Sequence, residues 1–250
     1  MNVNAALAES LDIQVSLHGT ASWWDRDAEC TLVVARPPDE PELWDEYLDG
    51  AARSYRKHGV EDALDMSALR TGGDTALFFA ALDAGGRVLG GLRAKGPLRD
   101  AEDSHAVIEW DGQPGLAAVR KMINDRAPFG ILEFKSAWVD AKPNGRAVTR
   151  AMARTAFHAM AVMDIQFCMA TSAEHVLNSW ATSGGVVAAN IPPTPYPDER
   201  YQTRMMWWDR TNFTKYAEPD QLSKILQETR ALRNELSDHS EADVLYRIGG

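Results

Sequence analysis

Cysteine is scarce in this chain, and the two residues that occur indicate neither a disulfide framework nor a metal site. Cys30 and Cys168 lie far apart, each within an apolar run typical of a strand. Such a pair lacks the repeated spacing of a disulfide scaffold or a zinc site. The six histidines show no ligand spacing either. We therefore expect two buried free thiols and no structural or catalytic metal.

Long apolar runs and an excess of positive charge are also missing. No stretch approaches the roughly 18 to 20 apolar residues that a membrane helix needs. The opening residues, MNVNAALAESLD, lack the basic and apolar parts of a secretory signal. The net charge of −10, from 26 basic and 36 acidic side chains, argues against nonspecific nucleic-acid binding. We expect a cytoplasmic protein with neither a nucleic-acid nor a membrane partner.

The basic residues are unevenly distributed. Many fall in the middle third of the chain: Arg93, Lys95, Arg99, Arg120, Lys121, Arg126, Lys142, Arg146, Arg150 and Arg154. A local positive surface in an acidic protein suits an anionic cofactor or an acidic partner. An ordinary solvated surface is the alternative.

Hydrophobic periodicity predicts a single mixed α/β domain. Strands are expected at 30–36, 75–82, 87–96, 130–139, 165–171, 186–189 and 201–209, with a strand-like HAVIEW at 105–110. Helices are expected at 41–58, where Gly59 ends the first, around 116–125, at 147–163 and near 174–182. The segment NIPPTPYPDE should be an exposed loop because its prolines suit neither helix nor central strand.

The two ends of the chain are harder to assign. Residues 1–29 alternate poorly and are predicted to be an irregular extension, with a short strand at Ile13 to Leu17. Residues 30–209 form the domain, and 210–250 form a tail. Apolar residues recur at helical spacing in that tail: Leu222, Ile225, Leu226, Leu232 and Leu236. This amphipathic helix packs either on the domain or on a second copy, as in a homodimer.

Tryptophans occur in two adjacent pairs, Trp23-Trp24 and Trp207-Trp208. In a strand, successive side chains point to opposite faces. Each pair is therefore expected to bury one ring and expose the other.

The most informative segment runs from Gly130 to Met163: an apolar strand, ILEFKSAWVD, a KPNGR break and a long helix. Free N–H groups at such a helix N-terminus favour phosphate. Arg146, Arg150 and Arg154 follow at four-residue spacing on one helix face. They could contact a phosphate or an acidic carrier, or simply form a solvated face. A carboxylate in a strand this apolar, Glu133, is costly unless it is paired or functional.

The strand–helix order, together with WVDAKPNGRAVTRAMA, resembles the GNAT acyltransferase superfamily over roughly residues 30–209. The resemblance implies a mixed, mostly antiparallel sheet with a splay between the strands at 130–139 and 165–171. In that family, turn amides hold the pyrophosphate of coenzyme A, and the splayed strand holds the pantetheine arm. The implied positions for binding acyl-CoA or acyl-phosphopantetheine are Trp138, Val139, Asn144, Gly145, Arg146, Ala147, Val148 and Arg150.

The turn departs from the family pattern of Gln or Arg followed by x-x-Gly-x-Gly/Ala. Asn144 stands first, and Ala147 and Thr149 stand at the glycine positions, so Gly145 alone remains. A Cβ at these positions hinders close approach of the backbone to phosphate. The arginines and the preceding strand must therefore carry more of the donor binding.

A narrower resemblance is to acyl-homoserine-lactone synthases and N-acyl amino acid synthases, GNAT-like proteins with weakened glycine turns. Residues 97–129 resemble the insertion that these proteins carry between their third and fourth strands. Glu133 resembles the glutamate of their strand, although Lys135-Ser136 stands where they have Ser-Arg. Such enzymes take acyl groups from acyl carrier protein, an acidic partner that the basic cluster would dock.

Acyl transfer from a thioester to an amine needs a base and a proton donor for the leaving thiolate. Glu133 is the predicted base, acting directly or through a water, with an ion pair to Lys135 or an arginine as the alternative. Trp180 stands where ordinary GNATs place a tyrosine acid, and an indole cannot give up a proton near neutral pH. Tyr201, or Tyr196, is a substitute, unless the thiolate leaves unprotonated.

Three hypotheses follow. The first is a GNAT-type N-acyltransferase whose acceptor is a small amine such as an amino acid. The second is a catalytically silent GNAT-like module that binds an acyl ligand or a protein partner. The third is an unrelated α/β domain, which predicts no V-shaped gap between the strands that follow residues 130 and 165.

Overall fold

The computed structural model describes residues 19–141 and 144–232, and these form a mixed α/β domain around one eight-stranded sheet. The strands are β1 Ala21–Asp25, β2 Cys30–Ala35, β3 Thr75–Leu82, β4 Val88–Lys95, β5 Ile131–Val139, β6 Phe167–Ala173, β7 Val186–Val187 and β8 Thr203–Asp209. Their order in the sheet is β1-β2-β3-β4-β5-β6-β8-β7. Neighbours are antiparallel except β5 and β6, which run parallel. The expected mixed, mostly antiparallel sheet is confirmed.

Seven α-helices flank the sheet in this part of the chain. They are α1 Pro41–His58, α2 Met66–Arg70, α3 His105–Glu109, α4 Leu116–Asn124, α5 Gly145–Met163, α6 Leu177–Ala181 and α7 at 219–232. None of the described helices combines the length and apolarity needed to cross a membrane.

The helices form layers on the two faces of the sheet. On one face, α5 packs over the central strands, for example through Met152 against Phe134 and Trp208 in one buried cluster. On the other face, α1 covers β3 and β4. The insertion that carries α3 and α4 covers β5, β6 and β8 beside it. The central strands are therefore buried on both sides.

The parallel ladder between β5 and β6 stops partway along both strands. It pairs Ile131 with Phe167 and ends with Phe134 opposite Ala170, although β5 continues to Val139 and β6 to Ala173. Ser136 has a φ of 54°, and the β4–β5 register shifts nearby. The strands therefore splay beyond Phe134, as expected. This gap overturns the hypothesis of an unrelated α/β domain.

One predicted strand is wrong, because HAVIEW forms helix α3 instead. Ser104 precedes it, and its Oγ accepts a hydrogen bond from the backbone N–H of Ala106 at 3.1 Å. This N-cap starts a helix that the β-branched composition of the segment obscures. The predicted helix at 116–125 is confirmed as α4.

The expectation that residues up to 29 are irregular is also wrong for the part that the structure describes. Ala21–Asp25 forms edge strand β1 and pairs along Cys30–Val34. The strand predicted at Ile13 to Leu17 lies outside the described residues. Cys30 and Cys168 are buried free thiols, as expected.

The two tryptophan pairs behave differently. Trp23 is 7% exposed and Trp24 is 55% exposed, as edge strand β1 predicts. Trp207 and Trp208 are both buried. The expectation for this second pair is wrong because β8 is covered by the insertion on one face and by α5 on the other.

Helix α7 packs on the domain within the same chain. Ile225 and Leu232 enter the cluster beneath α5, and Gln221, Glu228 and Thr229 are buried with them. Leu236, the last predicted apolar position, lies outside the described residues. The amphipathic pattern at 219–232 is therefore satisfied without a second copy.

Candidate active site

A cavity of about 550 Å³ opens where β5 and β6 separate. Thr149 and Met152 of α5 line it on one face of the sheet, and Tyr55 of α1 and Glu109 of α3 line it on the other. The exposed sides of β5 beyond Phe134 and of β6 beyond Ala170 form its walls. The cavity therefore extends through the sheet between the two splayed strands.

A buried carboxylate is the centre of a polar cluster on the wall of this cavity. The Glu109 side chain is 1% exposed, and its Oε1 accepts hydrogen bonds from Thr171 Oγ1 at 2.9 Å and from His105 Nδ1 at 3.0 Å. Lys135 Nζ forms an ion pair with the same oxygen. Oε2 is buried and has no partner among the described residues. The insertion and the two splayed strands thus meet at the Glu109 carboxylate.

Electrostatics keep this cluster charged. Burial opposes ionisation of Glu109, but the charge of Lys135 and the hydrogen bond to His105 hold its pKa at about 2. Burial likewise opposes the charge on Lys135, yet Glu109 and Glu133 raise its pKa above the ordinary value. At neutral pH, Glu109 is a carboxylate and Lys135 an ammonium group.

The predicted base Glu133 lies behind this wall and does not line the cavity. It is 0% exposed, and its Oε2 accepts a hydrogen bond from the backbone N–H of His105 at 2.9 Å. Its Oε1 has no partner within residues 19–141 and 144–232. Lys135, one of the partners considered in the alternative interpretation of Glu133 as an ion-paired residue, instead places its ammonium group on Glu109.

The aromatic side chains predicted near the acid position do line the cavity. Trp180, Tyr196 and Tyr201 all contribute to its walls. The Tyr201 ring lies 6.3 Å from that of His175. Burial and the nearby charge of Glu109 raise the pKa of Tyr196. Tyr196 therefore keeps its proton at neutral pH.

The strand positions predicted for donor binding also lie at the cavity. Trp138 and Val139 line it. The Trp138 indole N–H donates to the carbonyl oxygen of Tyr47 at 3.1 Å, which fixes the ring. The Tyr47 hydroxyl in turn donates to the carbonyl oxygen of Ser136 at 3.0 Å. Helix α1 thus holds the splayed end of β5 in place.

The turn before α5 is held by its own side chains. Asn144 Nδ2 donates to the carbonyl oxygen of Ala28 at 2.9 Å. A Cβ at Gly145 would stand 2.9 Å from the carbonyl oxygen of Asp140, so this position requires glycine. Thr149 lines the cavity, and its hydroxyl donates to the carbonyl oxygen of Gly145 at 2.9 Å. Ala147 is half-buried beside this turn.

Val148 does not fit its predicted role in donor binding. Its side chain is 1% exposed within the core cluster beneath α5. Its backbone N–H donates to the carbonyl oxygen of Asn144 at 3.0 Å, as the first bond of the helix. Neither group is available to a phosphate, because the helix and the core already use both.

The three arginines of α5 do not form one stripe. Arg146 is exposed at the start of the helix. Arg150 pairs with Glu218 at 2.7 Å and Asp220 at 2.8 Å. Arg154 is 2% exposed and forms ion pairs with Asp25 and Glu228. Both interpretations of Arg154, as a phosphate ligand or as part of a solvated face, are wrong because α7 and β1 bury it.

Sequence reasoning missed the insertion's contribution to the site. His105 and Glu109 were assigned to a strand, and Thr171 was not singled out. A signal was present, since Ser104 can cap a helix and His105 and Glu109 then share a helix face at four-residue spacing. Across the described ranges, no three histidine, cysteine or carboxylate side chains come together in a way that could hold a metal ion.

Sequence comparison identifies relatives of nearly the same length. The uncharacterized protein Rv1356c of Mycobacterium tuberculosis is 56% identical over 212 residues, which cover 84% of this chain and 81% of that protein. The uncharacterized protein Mb1391c of Mycobacterium bovis matches to the same extent. No protein-family profile matches the sequence.

Structural comparison identifies the fold. FeeM, an N-acyl amino acid synthase from uncultured soil microbes, superposes with a TM-score of 0.54 and 14% identity, covering 81% of this chain and 95% of FeeM. The acyl-homoserine-lactone synthase LasI superposes with a TM-score of 0.51 and 13% identity, covering 72% and 90%. The chain therefore belongs to the family of these mycobacterial proteins and has the fold of the GNAT acyltransferases, with an N-acyl amino acid synthase and an acyl-homoserine-lactone synthase among its structural neighbours.

Proposed function

We propose that this protein is a GNAT-type N-acyltransferase that moves an acyl group from an acyl-thioester to a small amine such as an amino acid. The observation that carries the proposal is the cavity through the sheet at the splayed strands, with the charged pair Glu109–Lys135 on its wall. A thioester arm could enter from the α5 face while an amine approaches from the face that α3 covers. The likeness to an N-acyl amino acid synthase supports this acceptor class.

The splay supplies the donor site. Backbone groups of β5 beyond Phe134 lack the β6 partners of a continuous ladder, so the amide groups of a pantetheine arm can pair with them. Trp138 and Val139 flank this stretch. At its end, the turn at Asn144 and Gly145 and the exposed Arg146 would meet the phosphate of acyl-CoA or of a carrier-bound phosphopantetheine.

The same turn supports one of the two donors over the other. Ala147 and Thr149 carry side chains where a glycine cradle would admit a pyrophosphate. Arg150 is already neutralised by two carboxylates. An acyl carrier protein needs only a single phosphate at this turn and brings its own acidic surface to Arg146. We therefore favour a carrier-protein donor over coenzyme A.

The chemistry is a direct transfer. The amine nitrogen attacks the thioester carbonyl carbon, the C–N bond forms, and the C–S bond breaks with its electron pair leaving on sulfur. The amine must lose one proton, and the thiolate can gain one. Tyr201 stays the predicted proton donor, and Glu133, which is separated from the cavity, would have to accept a proton through an intervening water.

A silent acyl-binding module is the second candidate, favoured by Trp180 at the acid position and by the two missing glycines. One experiment separates the two. The protein is incubated with acyl-CoA and acyl carrier protein donors against pooled amino acids, and free thiol is followed while donor binding is measured calorimetrically. Thiol release above the amine-free control supports the transferase. Donor binding without release supports the silent module, and neither binding nor release contradicts both.

A further inference from the structure

We infer that His105 is the group that takes the proton from the attacking amine, and that Glu109 is the positioning residue that fixes its ring. This inference rests on the proposed function, and it assigns the insertion a part in the chemistry. His105 lines the cavity from the first turn of α3, and its side chain is 26% exposed. Its ability to accept a proton depends on which of its ring nitrogens carries no hydrogen.

The contact with Glu109 determines the tautomer. An ionised carboxylate can only accept hydrogen bonds. Glu109 Oε1 lies 3.0 Å from His105 Nδ1, so Nδ1 must carry the hydrogen. In a neutral imidazole the remaining nitrogen, Nε2, then holds a lone pair. The buried, ionised carboxylate of Glu109 therefore orients the ring so that Nε2 can act as a base.

The surroundings leave Nε2 available. None of the described residues forms a hydrogen bond with it. The Tyr196 ring stands edge-on to the imidazole, with centroids 5.8 Å apart, and restrains its tilt. The backbone N–H of His105 is also held, by Glu133 Oε2 at 2.9 Å. Backbone and ring are thus both fixed, while the residue lines the cavity and Nε2 has no hydrogen-bond partner among the described residues.

The other ionisable groups of the cluster are poorly suited to the task. Glu109 has its pKa held at about 2 by Lys135 and His105 against the effect of burial, so it binds a proton weakly. Lys135 is held charged by two carboxylates and has no lone pair to offer. Glu133 is fully buried behind the backbone of His105.

Groups from four elements face the imidazole. These are Glu109 on α3, Glu133 and Lys135 on β5, Tyr196 in the loop before β8, and Tyr55 on α1 across the cavity. Of these groups, the ionised Glu109 is the one that contacts a ring nitrogen, at Nδ1. The imidazolium that forms when Nε2 takes the amine proton is therefore stabilised by Glu109, much as an oriented carboxylate stabilises a catalytic histidine elsewhere.

The proton balance is complete without a further reactant. The amine proton passes to Nε2 as the C–N bond forms, and the thiolate leaves with the electron pair of the C–S bond. The imidazolium then passes its proton to Tyr201 after that residue has protonated the thiolate, or to water when the thiolate leaves unprotonated. His105 has then given up the proton that it accepted, and Nε2 can take another.

The first test is His105→Ala, assayed with and without imidazole in the buffer. We expect turnover to fall about 10²-fold or more and to recover in part when imidazole occupies the vacated space, with no stimulation of the unaltered protein. Glu102→Gln is the matched control, since Glu102 lies in the same insertion but pairs with Arg120 at the surface. Full turnover of His105→Ala would overturn the inference.

The second test reads the ring directly, by ¹⁵N NMR of the protein labelled at histidine. We expect the His105 signals of the unaltered protein to report the tautomer with hydrogen on Nδ1. Glu109→Gln should lose that preference and lower kcat with little change in KM. A signal with hydrogen on Nε2 in the unaltered protein would overturn the inference, even if both variants lose activity through structural damage.

Different results would overturn the proposed function and the role of His105. No turnover by the unaltered protein with any donor overturns the proposed function and the role of His105 together. Turnover that survives His105→Ala overturns only the role of His105 and leaves the acyltransferase standing.

Discussion

The Trp138 indole packs directly against Gly50 of α1, and Trp138 lines the cavity at the splayed end of β5. A Cβ built on Gly50 would overlap the ring well inside contact distance. The ring cannot rotate away freely, because its N–H donates to the carbonyl oxygen of Tyr47 in the same helix. Glycine at position 50 therefore lets α1 approach β5 closely enough to hold Trp138 beside the donor site.

Replacing Gly50 by alanine should move Trp138 and weaken donor binding. We expect the free energy of unfolding to fall by about 1 to 3 kcal/mol from overpacking, and the dissociation constant for the donor to rise about tenfold. Both are measured on the folded protein, by urea unfolding and by calorimetry. Gly73→Ala is the matched control, because its Cβ would meet only ordinary contacts. Unchanged donor affinity in Gly50→Ala would contradict this role for the contact.

Removing the ammonium of Lys135 should be costly. Lys135→Met leaves the Glu109 carboxylate buried without its counter-charge, and breaking a buried pair in this way costs about 3 to 5 kcal/mol. The double variant Lys135→Met with Glu109→Gln removes the uncompensated charge as well, so we expect it to be more stable than the single variant. Urea unfolding at neutral pH measures both. A double variant that is less stable than Lys135→Met would contradict the pairing.

Arg154 should be the anchor of helix α7. It joins Asp25 of β1 and Glu228 of α7, and Glu228 also bonds His158 at 2.9 Å. Arg154→Met removes the guanidinium group that pairs with both buried carboxylates and, among the described residues, leaves Glu228 only His158 and Asp25 only the more distant Lys224, at 3.7 Å, as ion-pair partners. We therefore expect a loss of about 3 to 5 kcal/mol and faster hydrogen exchange at 219–232.

Arg150→Met is the control for that experiment. Arg150 lies one turn away and pairs with Glu218 and Asp220, which are about half exposed. Surface pairs contribute about 0 to 1 kcal/mol. Equal effects of the two substitutions would contradict the assignment of Arg154 as the anchor.

Acid should destabilise the protein through two buried carboxylates. Burial raises the pKa of both groups, but their partners lower it further. Lys135 and His105 hold the pKa of Glu109 at about 2, and His158 and Arg154 hold that of Glu228 at about 2, both below the ordinary 4.5. Between pH values of about 2 and 4.5, the unfolded chain therefore binds more protons than the folded protein does. Their contribution to stability is full above about pH 4.5 and is lost as pH falls toward 2.

The measurement is the free energy of unfolding from pH 6 downward, for the unaltered protein and for Glu109→Gln and Glu228→Gln. Each variant lacks one of the two titrating groups. We expect each to be less stable at pH 6 and to lose less stability with acid. If the free energy of unfolding fell with pH as steeply in both variants as in the unaltered protein, the assignment of these two carboxylates would be contradicted.

The strands and helices around the site could largely be predicted from the sequence. The apolar run of β5 and the long amphipathic α5 carry strong local signals, and the motif at their junction led to the GNAT resemblance and to the expected splay. These features depend on residues that are close together in the chain. The fold class was therefore within reach of sequence reasoning.

The side-chain partners could not be predicted. Arg154 lies at regular spacing with Arg146 and Arg150, but whether it is solvated depends on Glu228, 74 residues further along the chain. His105 and Glu109 lie in a segment whose β-branched residues favour a strand, and only the Ser104 cap and packing over β5 make it helical. Sequence therefore pointed to Glu133, while the structure brings His105 to the cavity.

The most direct measurement is a crystal structure of the protein with a non-hydrolysable thioether analogue of its acyl donor. We predict electron density for the arm between β5 beyond Phe134 and β6 beyond Ala170, with the thioether on the side of His105. An arm bound elsewhere, with β5 and β6 and the cavity between them unoccupied at saturating analogue, would contradict it.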